Sequence, residues 1–106
     1  EIDEITVNDE VKEIVEGTLA HAGELDEIIA GYSKTRSLSR ISKLNLAILR
    51  IAIYESLYDD KTPINAAISE AINLSMMYTY QEDTSFINGV LGAFSKDVQK
   101  KNEENA

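Results

Sequence analysis

The 106-residue sequence predicts an all-α fold, a compact bundle of about five helices plus one short helical turn. Three observations carry that prediction. Apolar residues recur at three- and four-residue spacing along most of the chain, while strict alternation is scarce. The chain has one proline and five glycines, too little punctuation for a fold of many short strands. Residues 44–58 are apolar on nearly all sides, as in a helix buried among its neighbours. The length suits a single domain.

Asn8 is the expected N-cap of the first helix, with Asp9 and Glu10 in the first turn where the helix dipole favours acids. Val11, Ile14, Val15, Thr18, Leu19 and Ala22 follow on one face, and Gly23 reads as a C-cap. A second helix over residues 24–32 places Leu25, Ile28, Ile29 and Tyr32 together. Residues 33–43 read as a polar connector with one helical turn, pinned by Leu38 and Ile41. The central helix, 44–58, stops at Asp59-Asp60-Lys61. Thr62 as N-cap and Pro63 at the first helical position then open a helix to about Tyr78. Its inner face is Ile64, Ala67, Ile68, Ala71, Ile72 and Ser75. Met76 and Met77 read as core filling, with one of the two at the surface. Residues 79–84 read as a loop, and a last helix from Asp83 or Thr84 to Val98 buries Phe86, Ile87, Val90, Leu91, Phe94 and Val98. Gly89 and Gly92 inside it suggest close approach to a neighbouring helix. The tail from Lys100 is expected to fray.

Composition removes several functions. With no cysteine there are no disulfides, thiolate metal sites or cysteine nucleophiles. No apolar run reaches the ~20 residues of a membrane span, and the acidic start is unlike a secretory signal, so a cytoplasmic location is expected. The net charge of −9 opposes nucleic-acid binding, but it is unevenly placed. Residues 1–33 hold ten acids and one base, whereas residues 34–50 hold five bases and no acid. The chain begins with Glu rather than Met, which reads as a sign that polypeptide precedes it.

Catalytic and cofactor signals are weak. His21, the one histidine, reads as a helix-end residue rather than a base with a nucleophile. Asp59-Asp60 lacks the further oxygen ligands of a calcium loop, Asn73-Leu74-Ser75 lies mid-helix, and no Gly-rich phosphate loop occurs. No catalytic, cofactor or metal residue is therefore expected. Arg50 and Glu55 interrupt the apolar central helix on different faces. An interior charge requires a partner, so a structural ion pair from Arg50 to Glu55 or Glu70 is expected.

Four motifs together closely resemble the NusB family. They are Leu38-Ser39-Arg40-Ile41-Ser42-Lys43, Ala47-Ile48-Leu49-Arg50-Ile51-Ala52-Ile53-Tyr54-Glu55, Pro63 followed by Ala67-Ile68-Ser69-Glu70-Ala71, and Phe86-Ile87-Asn88-Gly89-Val90-Leu91. The resemblance runs from about residue 36 to 94 in order and spacing. It implies a cytoplasmic, non-catalytic transcription antitermination factor that pairs with a small-subunit ribosomal protein, the NusE partner. That pair binds boxA-type RNA and modifies the RNA polymerase elongation complex. By correspondence, partner contacts fall on Arg36, Ser39, Arg40, Asn45, Leu46 and the helix after Pro63, and RNA-proximal positions are Tyr78, Gln81, Glu82 and Phe86.

Departures from the family pattern accompany the match. Residues 1–7 are acidic and apolar where the family has a basic helix, so the chain reads as a single NusB-like domain without that first portion. Arg36 stands where tryptophan is frequent, Asn45-Leu46 where Asp-Arg is frequent, and Met76 where lysine is typical. These changes imply weak RNA affinity for the piece alone, and either self-association through the face a first helix would cover or an N-terminal segment rearranged to cover it. The alternatives are the RNA-binding domain of a ribosomal RNA methyltransferase and a non-catalytic assembly scaffold. The polar tail, residues 100–106, reads as a true terminus and disfavours the methyltransferase.

Overall fold

The computed structural model describes residues 9–104, and the expected N-cap Asn8 lies outside them. Five helices follow in order: α1 (Asp9–Ala20), α2 (Ala22–Tyr32), α3 (Lys43–Tyr58), α4 (Ile64–Tyr78) and α5 (Gln81–Glu104). A 3-10 turn, Leu38–Arg40, precedes α3. Among the described residues there is no strand. The all-α class and the helix number follow the sequence reading.

α3 lies at the centre and packs against α1, α2, α4 and α5. It starts where the Ser42 hydroxyl accepts a hydrogen bond from the Asn45 backbone N–H at 3.1 Å, an N-cap that satisfies one orphan donor. Leu49 and Ile53 of α3 are fully buried, and they join Leu25 and Ile29 of α2 and Ile87 and Leu91 of α5 in one core. Burying each such side chain contributes roughly 1.5–3 kcal/mol. Ile41 is buried and Leu38 packs at the edge of the core, so the helical turn is pinned as its spacing predicts. Ala67, Ala71 and Ser75 form the buried face of α4, and these small residues let α4 approach α3 closely.

Several local expectations are corrected. α1 ends at Ala20 and α2 begins at Ala22, so Gly23 lies inside a helix rather than capping one. The joint is His21, whose Nδ1–H donates to the Gly17 carbonyl at 2.8 Å and whose ring stacks with Tyr58 at 4.5 Å. These contacts satisfy the helix end without a left-handed residue, and no described residue has one. Among the described residues of α1 only Thr18 is buried, and Leu19, expected on the inner face, is 69% exposed.

Thr62 does not cap α4. Its hydroxyl donates to Asp59 Oδ2 at 2.8 Å while the Lys61 N–H donates to Asp59 Oδ1, so Asp59 organises the turn and Pro63 becomes the cap residue. Met76 and Met77 are both exposed, at 60% and 69%, because the buried face of α4 runs through Ala67, Ala71 and Ser75 instead. Residues 81–84 are helical rather than a loop, and α5 continues to Glu104. The Thr79 hydroxyl donates to the Ser75 carbonyl at 2.6 Å and the Ser75 hydroxyl to Thr84 Oγ1 at 3.0 Å. These bonds tighten the α4–α5 corner to two linking residues.

The ion pair of Arg50 is made with Asp26 of α2, not with Glu55 or Glu70. Nε reaches Oδ1 at 2.7 Å and Nη2 reaches Oδ2 at 2.8 Å. This parallel geometry matches guanidinium to carboxylate, and the hydrogen bonds raise the Arg50 pKa. Glu55 points from another side of α3, toward Glu70 and Asp59, where Arg50 cannot follow.

The glycines separate by space rather than by sequence. A Cβ at Gly17 would collide with the Tyr54 ring and its hydroxyl, whereas at Gly89 and Gly92 it would meet nothing within 4 Å. The expected close approach at Gly89 and Gly92 is therefore absent, and Gly17 holds it instead. Gly89→Ala is predicted to raise stability by about 0.5–1 kcal/mol through helix propensity. Gly17→Ala is predicted to lower it by about 1–2 kcal/mol, as overpacking outweighs the same gain. Urea unfolding followed by circular dichroism measures both.

Candidate functional site

The α4–α5 corner and residues 33–42 meet around Asp83. Asp83 occupies the first turn of α5, where a carboxylate complements the helix dipole. Arg36 Nη1 donates to Asp83 Oδ1 at 2.8 Å, and its guanidinium carbon stands 4.5 Å above the centre of the Phe86 ring. One side chain thus makes an ion pair and a cation–π contact, fastening the connector to α5. The Arg36 hydrogen bond is the main cause that lowers the Asp83 pKa. The Tyr80 backbone N–H assists, while burial opposes. The Asn45 amide also helps lower Asp83, although neither of its polar atoms forms a hydrogen bond of good geometry.

The expected RNA-proximal residues divide into two layers. Tyr78 is 64% exposed and faces the groove between α3 and α4, Glu82 is exposed, and the exposed Gln81 lines a hollow of about 520 Å³ with Met76, Thr79 and Asn88. Tyr80, not singled out by sequence, is the most exposed aromatic, at 78%. Phe86 lies beneath this layer, buried, with Arg36 over its ring. It supports the corner and offers no open ring face.

The expected partner residues divide similarly. Ser39 and Arg40 are exposed on the 3-10 turn, and Leu46 is half-buried against the core. Asn45 is only 1% exposed. Its assignment as a surface contact is corrected, because the four-residue spacing that aligns Asn45 with the buried Leu49 and Ile53 on α3 carries it inward too. Glu55 and Glu70 stand apart from the corner, since Glu55 is ten residues along α3 from Asn45, about 15 Å.

Sequence reasoning missed Asp26 and Asp83, the two carboxylates that anchor Arg50 and Arg36. Asp83 carried a signal: an acid in the first turn of a helix reaching back toward its start. Its pairing with Arg36, 47 positions away, had none. With Arg36 and Arg50 paired, Lys34, Arg40 and Lys43 are the exposed bases of the 34–50 segment. Among the described residues no group of three His, Cys, Asp or Glu is placed to hold a metal ion, and no helix is long and apolar enough to cross a membrane.

The lowered Asp83 pKa fixes a pH dependence. Its contribution is present above the pKa of an unfolded aspartate and is lost as pH falls through the lower folded value. Asp83→Asn is predicted to cost about 1 kcal/mol at neutral pH, in keeping with a partly exposed pair. The gap between wild type and variant should close in acid, as measured by thermal unfolding across pH.

Comparison with known proteins supplies the family. The NusB family profile matches residues 3–96. The transcription antitermination protein NusB of Acetivibrio thermocellus is 45% identical over 86 residues, covering 81% of this chain and 59% of that protein. The protein of the same name from Elusimicrobium minutum is 42% identical over 93 residues, covering 87% of this chain and 65% of that protein. The chain thus spans about 60% of the length of these curated relatives. The structure of T. maritima NusB superposes with a TM-score of 0.77 at 30% identity, over 83% of this chain and 62% of that one. With its five-helix architecture and a match over most of its length, the chain belongs to the NusB family.

Proposed function

We propose that this chain acts in transcription antitermination as a non-catalytic binding module that takes part in RNA and protein contacts. The observation that carries this reading is the family match over residues 3–96, with relatives named as antitermination proteins. Within that reading, the NusE-type ribosomal protein docks on the exposed edge formed by Ser39, Arg40 and the half-buried Leu46, continuing to α4. The boxA-type RNA passes the α4–α5 corner, where Tyr78 and Tyr80 supply exposed rings suited to unstacked bases. Arg40 and Lys43 provide positive charge for phosphates. The assembly acts on the RNA polymerase elongation complex in the cytoplasm.

Charge sets the expected strength. Glu82 repels phosphate at the same corner, and the chain as a whole carries −9, so RNA binding by the chain alone is weak and its pairing with the ribosomal protein provides most of the affinity. The test is RNA binding by fluorescence polarisation at several salt concentrations, with and without the NusE-type protein. The ribosomal protein is expected to co-purify with the chain and to tighten RNA binding. Glu82→Gln should strengthen it by about threefold. Replacing Arg40 and Lys43 by alanine should lower the salt slope by roughly 1–2. No association with the ribosomal protein, together with no effect of these changes, would contradict the reading.

A further inference from the structure

Asn45 breaks the pattern of the helix it helps to start. It shares one face of α3 with Leu49 and Ile53, which are fully buried, and is itself only 1% exposed. Its backbone N–H is taken by the Ser42 cap, while neither side-chain Nδ2 nor Oδ1 has a hydrogen-bond partner among the described residues. A buried amide left unpaired loses its hydration and gains no bond, so a leucine would suit the position better if packing were the only demand. The amide stands beside the Asp83 carboxylate, close enough to help hold the Asp83 pKa down.

Asp83 already has a charged donor, but a singly bonded one. Arg36 uses Nη1 alone, on Oδ1 alone, whereas Arg50 grips both oxygens of Asp26 with two nitrogens. A single contact lacks the geometric lock of the paired one. A quarter of the Arg36 side chain is open to solvent, and its Nε and Nη2 bond to no described residue. The Arg36 carbonyl accepts from the Ser33 hydroxyl, and Leu38 and Ile41 pin the turn that follows. The connector backbone can therefore stay in place while the guanidinium turns away from Asp83.

We propose that Arg36 is a phosphate-binding residue of the α4–α5 corner, and that Asn45 is the standby donor that releases it. The guanidinium passes from the Asp83 carboxylate to a phosphodiester, and the Asn45 NH2 group donates to Asp83 in its place. Asp83 keeps a donor in both arrangements, and in the second the buried amide is satisfied as well. Without Asn45, a phosphate would have to draw Arg36 away from a mostly buried carboxylate and leave that charge poorly paired. Arginine suits the exchange because its planar fork offers further donors besides the one on Asp83. The proposal rests on the RNA path of the antitermination reading, and adds to it a cation that is held inward when no RNA is bound.

The experiment has one arm without RNA and one with it. In the first, urea unfolding of the whole chain compares Arg36→Gln, Asn45→Leu and the double variant. Arg36→Gln is expected to lower the folding equilibrium constant by no more than about threefold where Asn45 can take over Asp83, and by about tenfold in the Asn45→Leu background. In the second, the boxA-type RNA is titrated by fluorescence polarisation at several salt concentrations with the NusE-type protein present. Asn45→Leu should weaken binding about threefold and lower the salt slope by about 0.7, one phosphate contact on a single strand. Adding Arg36→Gln should weaken it no further. Asn45→Ala, which removes the amide without adding bulk, should repeat both results. Additive effects on stability would overturn the standby role whether or not RNA binds. Coupled stabilities with RNA binding unchanged by Asn45→Leu would overturn the phosphate contact. No RNA binding by the unmodified chain with its ribosomal partner would overturn the antitermination reading and this use of Arg36 with it, while the unfolding arm still decides the exchange.

Discussion

The rest of the fold depends on a helix that has no polar side of its own. α3 is apolar around most of its circumference, so its stability comes from neighbours rather than from propensity. α2 and α5 cover the side of Leu49 and Ile53, and α1 and α4 pack on α3 as well. Each remaining helix packs on α3, although α1 and α4 also present Val15, Leu19, Met76 and Met77 to solvent. The radius of gyration, 14.2 Å, exceeds the ~13 Å of a compact domain this size. That excess reflects α5, whose last turns extend past Phe94, its final buried residue.

Two ion pairs fix the elements that this apolar packing leaves free to slide. Hydrophobic contact is non-directional, whereas the paired bonds of Arg50 to Asp26 admit one rotation of α2 against α3. Arg36 does the same for the connector, using Asp83 and the face of Phe86 together. Both pairs are partly exposed, so their value lies in registry more than in energy. They also redistribute the basic segment, leaving the positive charge that faces solvent on Lys34, Arg40 and Lys43. The result is a corner of exposed tyrosines that borders, at Tyr78, an apolar groove between α3 and α4.

Much of the architecture was legible because helical periodicity reports burial directly. The pattern of Leu25, Ile29, Ile48, Leu49, Ala52 and Ile53 is a core in sequence and in space. What escaped was decided by contacts between distant residues. The joint at His21 depends on rings from α3, and the inward turn of Asn45 depends on which side of an all-apolar helix its neighbours choose. The sequence placed one of Met76 and Met77 in the core, yet the alanines of α4 occupy that face and both methionines are exposed. The candidate site was legible only as exposed positions around residues 78–82. Its supports, Asp83 and the stacked Arg36, arise from a pairing that no local pattern encodes.

If α3 is the element on which the others depend, its amides should be the last to open. Residue-resolved hydrogen exchange of the whole chain tests this most directly. The account predicts that the amides of Ile48–Ile53 are the most protected and exchange only through global unfolding, with α1 opening first because Thr18 is the one buried residue among those described in it. Early exchange of α3 while α4 and α5 remain protected would contradict it.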